Sequence, residues 1–144
     1  MLRCSRTLSI VAAIAGFGFF GSAPAEAGHR IAVVVGNNQG GPGRPALAYA
    51  ERDAQRMQST LQELGNVDAV HLLLGLPAVD LAQAFDKIQA QIAARHGETT
   101  VLFYYSGHAD GAALLLGDSR LPFRQLRSRL KALGARLFVA IIDA

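Results

Sequence analysis

Ser106, Gly107 and His108 stand where a run of β-branched and aromatic residues, Thr99 to Tyr105, comes to an abrupt stop. An imidazole titrates near neutral pH, so a histidine at the mouth of a core strand can accept and return a proton, and a glycine beside it frees the backbone to turn. General acid–base catalysis is the chemistry such a pair could serve. The plain alternative is a strand that ends in a turn, with a histidine on the surface, and the surroundings must decide.

The elements that must position these residues are legible as alternating patterns. Arg30 to Val35 (RIAVVV) is a short continuous apolar run, the mark of a strand covered on both faces. Gly36 to Pro45 (GNNQGGPGRP) carries four glycines and two prolines and reads as a loop. From Ala46, residues Leu47, Ala50, Ala54, Met57, Leu61 and Leu64 recur at steps of three and four, a helix closed by Gly65 as a left-handed cap. Asp68 to Leu74 is the second strand, and Pro77 opens a helix that buries Leu81, Phe85, Ile88 and Ile92 and is stopped by Gly97, just after His96. After the Thr99–Tyr105 strand come a short hairpin turning at Gly117–Arg120 and a helix from Phe123 to Leu133 that ends at Gly134. Arg136 to Ile142 is a fourth core strand. This order predicts an α/β fold, a mainly parallel sheet with helices on both faces. Ligands of such sheets bind at the carboxyl ends of the strands, which is the edge that carries His108, the glycine-rich loop and Asp143.

Composition bounds the rest. The chain has 144 residues, 51% hydrophobic and 17% charged, which suits one domain. Arg3 and Arg6 precede an uncharged run from Leu8 to Phe20, and Ala25-Glu26-Ala27 follows as a cleavage site, so residues 1–27 are expected to be a secretory signal. The run is shorter than the ~20 residues a membrane span needs, so the mature protein is expected to be exported, periplasmic or secreted, with no membrane association after cleavage. Its balance of 12 basic against 10 acidic residues leaves +2, and no Lys/Arg block points to nucleic acid. The one cysteine, Cys4, lies in the signal.

Other motifs carry less. A phosphate loop starting at Gly36 would need Lys-Ser or Lys-Thr after Gly41, where Pro42 and Gly43 stand, so the loop is expected to serve a substrate rather than a nucleotide. His29, His71 and His96 lack metal-ligand spacing and read as structural, and no metal or other cofactor is expected. Glu51, Arg52, Asp53 and Arg56 form a charged helix face, usually a solvated one.

Taken in order, Asn37-Asn38 after the first strand, the helix start AYAERDA, the block Tyr104-Tyr105-Ser106-Gly107-His108-Ala109 and the strand ending Ile142-Asp143-Ala144 resemble the large-subunit core of caspase-like cysteine peptidases. The likeness spans Arg30 to Ala144 and is closer to bacterial caspase-like proteins and metacaspases than to animal caspases. It implies a partial caspase-like domain over residues 28–144, a three-layer sandwich with a mainly parallel sheet, incomplete at its C-terminal edge. It also implies an endopeptidase whose partner is a peptide or protein substrate; oligomeric state is not implied.

Residue by residue, the resemblance makes His108 the catalytic histidine and the N–H of Ala109 a donor to the oxyanion, at a position where most relatives have glycine. Asp53, Ser106 and Asp143 match positions that line the specificity pocket. A carboxylate there calls for a cation, so cleavage after Arg or Lys is implied; Arg44 is the one residue that would suit an acidic substrate instead. The family's nucleophilic cysteine follows the position of Ala144. Residues 28–144 contain no cysteine, and Ser106 is too near His108 in the chain to replace it. The chain therefore reads as a fragment of a cysteine endopeptidase, inactive by itself, or as a noncatalytic caspase-like binding domain.

Overall fold

The computed structural model describes residues 28–144, and the expected signal over residues 1–27 lies outside the described residues. Four strands, β1 (His29–Asn37), β2 (Ala69–Leu74), β3 (Thr99–Gly107) and β6 (Leu137–Asp143), form one parallel sheet in the order β2-β1-β3-β6. β1 and β3 are central, which explains their unbroken apolar runs: alternate side chains enter separate cores on the two faces. The ladder sets Gly36 beside Ser106, and Ser106 in turn beside Asp143. Three chain segments far apart in sequence thus end together at one edge.

One face is covered by α1 (Ala50–Leu64), which packs Ala54 against Ala32, Val34 and Tyr104. Gly36 permits this close approach, because a Cβ there would stand 2.7 Å from that of Ala54. The other face is covered by α2 (Ala78–Ala93), α3 (Phe123–Ala132) and the hairpin of β4 (Ala113–Leu116) and β5 (Ser119–Pro122). Leu81, Phe85, Ile88 and Ile92 form one buried stripe of α2, as their spacing predicts, and the Phe85 ring stacks on Phe103 with centroids 6.0 Å apart. Burying a side chain of this size contributes about 1.5–3 kcal/mol. The expected α/β sandwich, mainly parallel with helices on both faces, is the observed one. Among the described residues, no helix is long and apolar enough to cross a membrane.

Boundaries differ from the sequence reading in instructive ways. α1 begins at Ala50 rather than Ala46, because the Leu47 amide donates to the Asn38 carbonyl (2.8 Å) and draws the preceding residues back over the glycine-rich loop. Leu64 continues the three-and-four spacing but is 82% exposed, and the left-handed residue after the helix is Asn66 (φ 47°), with Gly65 at −81°. β1 runs on through Asn37, so the loop starts two residues later than its first glycine suggests. The apolar run of β6 predicts a core strand; it lies at the sheet edge with Leu137, Val139 and Ile141 exposed. An apolar run records what a strand is able to bury, not what covers it.

His71, on the edge strand β2, has its Nε2 buried without a hydrogen-bond partner. Burial, followed by the charge of Arg95, holds its pKa below the ordinary imidazole value. The unfolded chain then binds the proton more readily than the folded one. Stability is full above the ordinary value of about 6.5 and is lost as pH falls through the lowered folded value. We expect the urea midpoint to fall between pH 7.5 and 5.5, and expect His71→Leu to flatten that part of the slope.

Candidate active site

At the carboxyl edge, Ser106, Gly107, Asp143 and Ala144 meet the β1–α1 connection and the first turn of α1. With Leu47, Ala48, Tyr49, Ala50 and Asp53 they line an open cleft of about 230 Å³. Two carboxylates, Asp53 and Asp143, share this small pocket with the buried Ser106. The volume suits one side chain rather than a whole ligand. Both positions follow from local structure: Asp53 sits in the first turn of α1, where a carboxylate is favoured by the helix dipole, and Asp143 is the last residue of β6. Asp53 pairs with Arg56 at 3.6 Å, an exposed contact on the same helix. Arg44 is not among the lining residues, so the pocket wall carries the two carboxylates and no cation.

His108 follows directly on the pocket's Gly107 and is held from two sides. Its Nε2 lies 3.0 Å from the carbonyl of Pro45. A carbonyl only accepts, so Nε2 carries the proton and, in the neutral ring, Nδ1 is left as the basic nitrogen. The ring packs on Gly40, where an added Cβ would overlap its Cδ2 and stand 2.6 Å from Cγ. The main chain is fixed as well: the Tyr105 hydroxyl shares its proton between the carbonyls of His108 (2.8 Å) and Leu115 (3.0 Å), and the Leu115 amide donates to the His108 carbonyl (2.9 Å). Burial pushes the Tyr105 phenol far above its usual value, so it stays a donor at any working pH.

The glycine-rich loop is itself tied down. Asn37 Oδ1 accepts from the Gln39 amide (2.8 Å), Asn38 and Glu51 exchange two bonds with each other's amides, and Gln39 accepts from Gly117 of the hairpin turn (2.9 Å). Glu51 is thus more than a solvated helix residue, and Arg52 too is engaged, stacked 4.2 Å over the Tyr49 ring.

Ala109 forms an isolated bridge with Leu114, flanked by bonds from Leu115 to His108 and from Asp110 to Ala113. In this pairing the amide of Ala109 points away from the hairpin, free to meet an anion. Its backbone is not in the left-handed region, so alanine is accommodated there without backbone strain. Asp110 anchors the turn: it accepts from the Ala112 and Ala113 amides, both at 2.9 Å, and pairs with Arg120 at 2.5 Å. The Ala112 amide above all, then that of Ala113 and the Arg120 charge, hold its carboxyl below the ordinary value.

All five residues singled out from sequence therefore lie at one edge: Asp53, Ser106 and Asp143 in the pocket, His108 and Ala109 on the strand end beside it. Sequence reasoning missed Gly40, Pro45, Tyr105 and the Asp110–Arg120 pair. Glycine density in the loop was the one signal pointing to a close approach. Of the other histidines, the His29 ring bonds the main-chain carbonyl of His96 at 3.0 Å, tying the start of β1 to the end of the α2 segment.

No curated protein sequence matches the chain. Among solved structures, a crystal structure of a protein from Geobacter sulfurreducens is similar, with a TM-score of 0.58 and 22% sequence identity. The match covers 79% of this chain and 50% of that one, so this chain spans about half the length of its structural relative. At that identity the likeness speaks for the fold. The family comparison goes further, because residues 29–144 match the caspase domain from end to end of the described sheet. With the strand order, the Ser-Gly-His strand end and that match in agreement, the chain belongs to the caspase domain family of peptidases.

Proposed function

We propose that the chain is the histidine-bearing part of an exported cysteine endopeptidase that cleaves after arginine or lysine. One observation carries this reading: a histidine whose tautomer is set by the Pro45 carbonyl stands beside a one-side-chain pocket walled by Asp53 and Asp143. This reading requires the nucleophile to be a cysteine directly after Ala144, two positions after Asp143. His108 Nδ1 takes the thiol proton and delivers it to the leaving amine, and the Ala109 N–H donates to the oxyanion as the carbonyl is attacked. The substrate's cation enters between the two carboxylates, which positions the next peptide bond against the histidine.

Replacing Asp143 with asparagine is expected to lower kcat/KM for an arginine peptide about tenfold, measured against a peptide with norleucine before the scissile bond. Paired buried charges lose more than this, but Asp143 is exposed and solvent screens it. The reading as a whole is tested with a peptidyl-arginine chloromethyl ketone, which alkylates an activated thiol. The full-length protein is expected to be labelled on the cysteine after Ala144. No labelling, or a residue other than cysteine there, leaves the noncatalytic binding domain as the function.

A further inference from the structure

We propose that Tyr104 is a positioning residue for the acidic pocket: its hydroxyl holds the Asp143 carboxylate turned toward the substrate's cation. This rests on the arginine/lysine reading of the pocket. Tyr104 lies on β3, and the β3–β6 register places it opposite Ile141, as Ser106 is opposite Asp143. Alternation then puts Tyr104, Ser106, Ile141 and Asp143 on the same side of the sheet as α1, which packs over β1, β2 and β3 and leaves Ile141 and Asp143 open at the edge beside Asp53. The Tyr104 ring is 6% exposed and packs with Ala32, Val34 and Ala54.

Packing alone would be served by phenylalanine, but the hydroxyl reaches out of this core to donate to Asp143 Oδ2 at 3.3 Å. Among the described residues, no other side chain or amide donates to that carboxylate. Asp143 ends an edge strand and is exposed, so without this bond its side chain is free to rotate toward water. The phenol remains protonated throughout the working range, because burial above all, and then the Asp143 charge, push its pKa up. Tyr104 thereby links the core under α1 to the selectivity of the pocket.

The test is a double-mutant cycle on the full-length protein, read by calorimetric titration with two acetylated peptides bearing a free C-terminal carboxylate, one ending in arginine and one in norleucine. Tyr104→Phe is expected to weaken arginine binding about fivefold, the scale of one hydrogen bond to a charged group that is partly open to water. Norleucine binding and the thermal midpoint stay at wild-type values. In an Asp143→Asn background, Tyr104→Phe has no further effect. If Tyr104→Phe binds arginine as wild type does, or if its loss adds fully to that of Asp143→Asn, the positioning role is overturned while the pocket reading stands. If the wild-type protein itself fails to prefer arginine over norleucine, both are overturned.

Discussion

His108→Ala in the full-length protein is expected to lower kcat by about 10²- to 10⁴-fold, the range a positioned general acid–base group contributes, with KM for an arginine peptide changed less than about twofold. The split follows from the geometry. His108 stands beside the pocket and is not among its lining residues, so substrate binding survives while proton transfer is lost. His108→Gln sharpens the test, since its amide can still bond the Pro45 carbonyl but offers no basic nitrogen. Loss of turnover in both variants assigns the effect to Nδ1 chemistry rather than to the loop contact. Retention of turnover in either would remove His108 from the reaction.

The second large effect is expected at a residue that carries no chemistry. Gly40→Ala should reduce kcat by roughly 10²-fold, because its Cβ cannot coexist with the His108 ring as placed, and a displacement of about 1 Å in a reacting group has that scale of consequence. The loop cannot easily retreat instead, since Asn37, Asn38, Glu51 and Gly117 hold it on several sides. Gly111→Ala serves as the control: nothing lies within 4 Å of its Cβ and its backbone is outside the left-handed region, so unchanged kcat is expected there. Steady-state kinetics of the two variants, with thermal unfolding to show that both fold, separate a steric effect on the histidine from a general cost of altering glycine.

Gly40 also marks where sequence reading stopped. The strands were legible because β1 and β3 bury both faces and so show continuous apolar runs, and α2 because its stripe keeps one period throughout. The carboxyl edge was legible because a parallel sheet collects its strand ends there, bringing Ser106 and Asp143 into register. The bond from His108 to Pro45 spans 63 residues of chain, and no local period encodes it. The same holds for Tyr104 and Asp143, 39 residues apart. The start of α1 was misplaced for a related reason: Leu47 fits the helical spacing, but its amide is taken by Asn38 of the loop, a tertiary bond that overrides the local pattern. The exposure of β6 on both faces lay outside the reach of any composition rule, since its residues are as apolar as those of β1.

The acidic pocket and the histidine beside it make one joint claim, that a thiol peptidase here selects a cationic side chain. Its most direct measurement is kcat/KM of the full-length protein on three peptides that differ only before the scissile bond, with arginine, lysine or aspartate. Cleavage after arginine and lysine, none after aspartate, and loss of all turnover on thiol alkylation are the predicted results. Cleavage after aspartate, or turnover that survives alkylation, would contradict the account.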